Sequence, residues 1–160
     1  MKKISLILIV LALGFWTACN TMQDKKTETT AVAPQENVKP DKPKDGIFIH
    51  LSHGPEDPQR VLMALNMAKM MSDDKAVLLY IDIKGVYTVL KDAPDIKFKA
   101  FPSSLELLNE LKEKGVEVIV CPGCLKAAEK TPEDVMDWVK IATKERFFDF
   151  CDGKIISIDY

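Results

Sequence analysis

The sequence predicts an α/β domain whose sheet is mostly parallel and carries helices on both faces. Short apolar runs bounded by turn residues recur at 46–51, 75–83, 116–121 and 154–160, as strands buried on both faces do. Stretches with apolar residues at helical spacing lie between them. Strands alternating with helices need crossover connections, and crossovers make neighbouring strands parallel.

The elements are justified in chain order. "GIFIHL" (46–51) is short and apolar and reads as a buried strand. "SHGPEDP" is a loop, and Pro58 suits the first helical turn, where a missing N–H costs nothing. "QRVLMALNMAKMMS" places Val61, Ala64, Leu65, Ala68 and Met71 on one helical stripe. "KAVLLYIDI" (75–83) is the second strand, and "KGVYTVLKDAPDIKFKAFP" predicts a short helix and then a loop. "SSLELLNELKEKG" is the clearest helix: Ser103 and Glu106 have capping-box spacing, Leu105, Leu108 and Leu111 form a stripe, Glu110 and Lys114 an i,i+4 pair, and Gly115 suits the position after the C-cap. "VEVIVC" is the third strand. Thr131-Pro132-Glu133-Asp134 is a helix start. The stretch from there to Cys151 reads either as one long helix or as a short helix, a strand at 138–142 and a second helix capped by Thr143. "KIISIDY" is the last strand. There is no internal repeat and no Gly-rich phosphate loop, so no cofactor is expected.

The chain divides into three parts. Residues 1–18 begin with Lys2 and Lys3, continue with an apolar run from Ile4 to Trp16, and end in small residues, the order of a secretory signal peptide. That run is shorter than the roughly 20 residues a membrane-spanning helix needs. Cys19, directly after Thr17-Ala18, resembles the lipidated cysteine of a bacterial lipoprotein, with Trp16 where that pattern usually has leucine. Residues 19–44 are rich in Lys, Thr, Glu and Pro and nearly empty of large apolar groups; such a segment cannot offset its ordering entropy and reads as a disordered tether spanning roughly 25–30 Å. Residues 45–160 are the α/β domain, and the expected location is the periplasm, anchored to a membrane through lipid alone.

Within 45–160 there are 15 Lys plus Arg against 20 Asp plus Glu, a net of −5. A nucleic-acid partner needs a basic face, so none is expected. Exported domains meet oxidising conditions, yet three cysteines besides Cys19 are an odd number: Cys121, Cys124 and Cys151. Cys151, in "RFFDFCDG", is expected to be buried behind Phe147 and Phe150.

The chemistry concentrates in "VEVIVCPGC". In open α/β sheets ligands gather beyond the carboxyl ends of strands, where Cys121 falls. Pro122 and Gly123 turn the chain, and backbone N–H groups at such a turn favour a thiolate, the nucleophilic form of sulfur. A second thiol at Cys124 can attack a mixed disulfide or persulfide on the first. The plainer alternative is an inert clip or packing. A metal reading groups His50, His53, Cys121 and Cys124 as a tetrahedral zinc-type set, provided the first and third strands are neighbours. Failing that, His50 is packed, and His53 is partly exposed in a pocket with Pro122 and Gly123, close enough to depress the Cys121 pKa. Met63, Met67, Met70 and Met71, at helical spacing, read as core or subunit contacts rather than soft-metal ligands.

"IFIHLSHGPED", "SSLELLNELKEKG", "VEVIVCPGC" and "DWVKIATKERFFDFCDGKIISIDY" together resemble the DsrE/DsrF-like family, with its YchN-like proteins and sulfur-relay subunits. The resemblance implies a single five-stranded domain and favours the helix–strand–helix reading of 132–151. It implies a homo-oligomer, trimer or hexamer, and an unnamed sulfur donor or acceptor. It assigns the relay persulfide to Cys121, and the second cysteine of the YchN-like branch to Cys124. Ala128 and Glu129 stand where relay members often carry Arg-Gly, and an export signal is foreign to cytoplasmic relay to tRNA, so that role does not carry over. The alternative is a non-catalytic oligomeric module that binds a small molecule, metal or protein. Thioredoxins also use Cys-x-x-Cys, but with Gly-Pro between the thiols and another order of elements.

Overall fold

The computed structural model describes residues 45–160; the expected signal peptide, Cys19 and the expected tether lie outside the described residues. Five strands form one sheet in the order β4-β3-β2-β1-β5. These are β1 (Gly46–Leu51), β2 (Ala76–Ile81), β3 (Glu117–Val120), β4 (Lys140–Ile141) and β5 (Ile155–Asp159), and every pairing is parallel.

The two faces differ. Ile47, Ile49 and Leu51 of β1, with Val77, Leu79 and Ile81 of β2, join one core with α1 (Pro58–Met71) and α2 (Ser104–Glu113). Burying each such Leu or Ile contributes about 1.5–3 kcal/mol. The opposite face carries Phe48, His50 and Tyr80. Two further helices, α3 (Pro122–Ala127) and α4 (Lys144–Phe150), come later in the chain, and Phe147 of α4 packs on this face.

Helix ends obey their sequence signals. The Asp57 carboxylate accepts from the Arg60 N–H at 3.2 Å, with Pro58 in the first turn of α1. The Ser103 hydroxyl accepts from the Glu106 N–H. Gly115 ends α2 at φ +69°, while the Val116 and Gly115 N–H groups return to the Leu111 and Lys112 carbonyls. That is a Schellman end, which needs a left-handed residue and favours glycine.

Several expectations change. The buried stripe of α2 is Leu107, Leu108 and Leu111; Leu105 is only half-buried. Glu110 and Lys114 do not pair with each other: Glu110 binds Lys69, and Lys114 binds Asp73, so both bridge α2 to the α1 side. Residues 83–88 form one 3-10 stretch. Thr131–Asp134 makes a capping box on a single 3-10 turn, but no helix continues. The backbone pairs instead with 89–91, Lys91 N–H to the Asp134 carbonyl and Met136 N–H to that of Val89, which leaves Val135 extended and buried. The short strand and the Thr143-capped helix come next, as in the helix–strand–helix reading. Cys151 is exposed, not buried. α4 turns Phe147 onto Tyr80 and Phe150 toward Gly46, and Cys151 falls on its outer side.

Candidate functional site: a thiol pair at the sheet rim

β3 ends at Val120, and Cys121 is the N-cap of α3. Pro122 occupies the first turn, where its fixed φ suits a helix start. Cys121 and Cys124 are both half-buried and unbridged, one helical turn apart at the start of α3. They are wetted and adjacent on one rim, the arrangement dithiol chemistry needs. Cys151 is not among the groups that perturb either thiol.

The register explains what surrounds Cys121. Ile119 pairs with Lys140 on one side and with Tyr80 on the other, and Tyr80 pairs with His50 and His50 with Asp159. Residues two apart share a face. Cys121 therefore rises on the same face as Ile119, Tyr80 and His50. Ile81 pairs with Val120, and the Cys121 N–H still bonds the Ile81 carbonyl at 2.9 Å, so Asp82 and Cys121 stand side by side one step further on.

Tyr80 is the first residue that sequence reasoning passed over. Its ring is held by Phe147 (centroids 5.1 Å, edge-on), Phe48 (6.1 Å) and His50 (5.4 Å). Its hydroxyl is close enough to the Cys121 sulfur that each perturbs the titration of the other. Burial, with the sulfur and Asp82 close by, pushes the phenol pKa well up, so Tyr80 stays protonated and donates. Burial also pushes the Cys121 thiol up. The Cys124 N–H, the Tyr80 hydroxyl, the Cys124 thiol and the Gly123 N–H outweigh it, and Cys121 titrates below an ordinary thiol. Cys124 moves the other way: burial, the neighbouring Cys121 sulfur and the Asp82 charge raise it, against the opposing Ile83 N–H. The two neighbouring thiols are thus shifted in opposite directions, Cys121 down and Cys124 up.

Asp82 and Asp159 were also missed. His50 Nε2 lies 2.8 Å from Asp82 Oδ1, and Nδ1 lies 3.0 Å from Asp159 Oδ1. Both ring nitrogens can donate at once only when the ring is protonated. Two signals were available: acidic residues at strand ends, and a lone phenol in the apolar run "AVLLYI".

Ile83 adopts φ +44° although it is β-branched and 60% exposed. That conformation costs about 1–3 kcal/mol, and the Ile83 N–H is among the groups that favour the Cys124 thiolate. Its loop is locked from behind: a Cβ on Gly85 would stand 2.5 Å from the Leu51 carbonyl oxygen, and one on Gly54 2.3 Å from that of Lys84. Glu129, where relay members often have glycine, is left-handed too, at φ +55°. Lys130 and Glu129 N–H groups close onto the Leu125 and Lys126 carbonyls, so α3 also ends in a Schellman turn.

The histidine expectations are corrected. β2 separates β1 from β3, so the first and third strands are not neighbours. His53 turns toward Ser52 and Arg60, at 3.2 Å and 3.0 Å, and not toward Cys121, Pro122 or Gly123. It lines a cavity of about 550 Å³ with Arg60, Met63 and Tyr160. The set His50, His53, Cys121 and Cys124 therefore does not converge. Among the described residues no three His, Cys, Asp or Glu side chains are arranged to hold a metal ion.

Comparison with known proteins agrees with this architecture. The model of the DsrE/DsrF-like family matches residues 45–152. The uncharacterized protein MK0008 of Methanopyrus kandleri is 32% identical over 101 residues, 62% of this chain and 80% of that protein. The ychN protein from E. coli superimposes with a TM-score of 0.53 at 14% identity, covering 72% of this chain and 99% of that one. MTH1491 from Methanobacterium thermoautotrophicum does so at 0.51 and 18% identity, with the same coverage. Both structures share the fold.

Proposed function

The chain belongs to the DsrE/DsrF-like family, and from that premise we propose that it is a sulfur carrier or dithiol exchanger acting through Cys121, with Cys124 as resolving thiol. The observation that carries this is the placement of two unbridged, half-buried thiols one turn apart at the sheet rim, with opposed pKa shifts in support. The Cys121 thiolate attacks a sulfane sulfur or disulfide, forming a new S–S bond while the donor departs with the electron pair of the broken one. An acceptor thiolate then attacks the outer sulfur and returns Cys121 as a thiolate, or Cys124 attacks Cys121 Sγ, closing the disulfide and releasing the adduct as a thiolate.

The apolar leader and Cys19 support export and a lipid anchor in the periplasm. Exposed Met63, Met70, Phe148 and Ile156 support self-association as a trimer or hexamer, which light scattering measures.

Mass spectrometry after polysulfide treatment tests the thiol reading. Cys121 should gain about 32 Da, one sulfur atom, and Cys121→Ser should abolish the gain. No added mass on Cys121 refutes it.

The cavity at His53, Arg60 and Tyr160 favours a second reading, a module that binds a small polar molecule without thiol chemistry. In that case ligand binding survives Cys121→Ser and is lost in Arg60→Ala.

A further inference from the structure

We propose that the thiol site selects its sulfur donor by charge: it favours neutral or cationic disulfides and sulfane donors over anionic ones, and Asp82 sets the preference. This deepens the thiol reading and rests on it.

The placement follows from the strands. Ile81 pairs with Val120, and the Cys121 N–H extends the ladder to the Ile81 carbonyl at 2.9 Å. Asp82 is still extended and lies two residues beyond Tyr80, so it shares a face with Tyr80 and Cys121. Its bond to His50 holds the carboxylate on that face, where its side chain is only 16% exposed. Neighbouring strands lie about 4.8 Å apart, so the carboxylate belongs to the residue one strand away from Cys121. On the other side the Ala142 N–H bonds the Val120 carbonyl at 2.9 Å, which puts an uncharged residue there.

The net charge of this edge is negative in either state of His50. Asp82 and Asp159 take the two nitrogens of one imidazole, so two carboxylates share at most one positive charge. Among the described residues no lysine or arginine pairs with either carboxylate. Lys140 and Arg146 are engaged by Glu117 at 3.3 Å and 2.7 Å, and Lys84 and Lys126 are exposed. The exposed residues next to the thiols, Ile83, Pro122 and Gly123, carry no charge. Burial is the main reason that the Cys124 thiol and the Tyr80 phenol titrate high, and the Asp82 charge adds to both, as a carboxylate at this edge must. An incoming anion is therefore repelled, and a neutral or cationic donor is not. The effect is one of rate: an anionic polysulfide still reacts, but more slowly.

Methanethiosulfonates separate charge from chemistry. The Cys121 thiolate attacks the sulfenyl sulfur and a disulfide forms. Methanesulfinate leaves with the electron pair of the broken S–S bond, whatever group the reagent carries. The full chain carrying Cys19→Ser, Cys124→Ser and Cys151→Ser, in mild detergent, presents Cys121 alone. Its rates with the trimethylammonioethyl, methyl and sulfonatoethyl reagents are compared with those of mercaptoethanol, an uncharged free thiol. At about 10 mM salt screening is weak. With the reagent's charge about 8 Å from one net negative charge, the cation-to-anion rate ratio should exceed the free-thiol ratio roughly sixfold. At about 1 M salt, where the Debye length is about 3 Å, it should fall to the free-thiol ratio. Asp82→Asn should at least halve the excess at low salt, while the methyl reagent reacts as fast or faster because a negative charge beside the thiol has gone. Asp82→Glu should keep the excess. A parent ratio equal to that of the free thiol, or an excess that survives high salt or Asp82→Asn, overturns the assignment. A Cys121 that none of the three reagents modifies overturns the thiol reading itself, and this inference with it.

Discussion

Tyr80→Phe tests the construction of the site most directly. The substitution removes one oxygen and leaves the ring between Phe147, Phe48 and His50, so the fold should hold. The loss is the hydroxyl that helps hold the Cys121 thiol below its ordinary range by donating to the thiolate. A hydrogen bond to a charged group contributes about 1.5–3 kcal/mol. Cys121 is half-exposed, so solvent screening brings that to about 1.4 kcal/mol, or one pKa unit. The midpoint of the pH profile for iodoacetamide alkylation of Cys121 should therefore rise by about one unit. At a fixed pH below both midpoints the thiolate fraction falls about tenfold, but each thiolate becomes about threefold more nucleophilic, so the rate falls only about threefold. The midpoint is the better measure. The sign also reaches stability. Because folding lowers the Cys121 pKa, the linked stability is fully present above the unfolded thiol pKa and is lost as pH falls through the folded one. In Tyr80→Phe that window narrows. An unmoved midpoint, with the fold intact by near-UV circular dichroism, would refute the role of the hydroxyl.

Three more outcomes rest on the same geometry. Glu129→Gly, at an exposed left-handed position, should raise the urea midpoint by an amount equivalent to about 1 kcal/mol. Gly85→Ala drives a Cβ to 2.5 Å from backbone and should cost about 1–3 kcal/mol, with a changed Cys124 pKa as the Ile83 loop shifts. His53→Ala should leave the Cys121 alkylation profile where it is, since His53 faces Arg60 and Ser52. A profile that moves would restore His53 to the site.

How far the sequence reached depended on the range of the interaction involved. Local signals were legible. Pro58, Ser103, Gly115 and Thr143 mark helix ends because capping is decided within four or five residues. The position of Cys121 was set by the end of an apolar run, and its adjacency to Cys124 by one helical turn. Non-local pairings were not legible. Glu110 and Lys114 have ideal spacing for each other, yet Lys69 and Asp73 take them, because α1 packs on α2. The turn at 131–134 starts like a helix, and backbone pairing with 89–91 stops it.

By itself the sequence determined the alternation of strands and helices, the caps and the thiol pair, since each rests on periodicity or on neighbours along the chain. Only the tertiary structure decided that β2 stands between β1 and β3. That one fact removes His53 from the thiols and brings in Tyr80 and Asp82. The physical reason is that strand order and register are set by how whole elements bury their faces, and the pKa of a sulfur is set by whatever that burial places beside it.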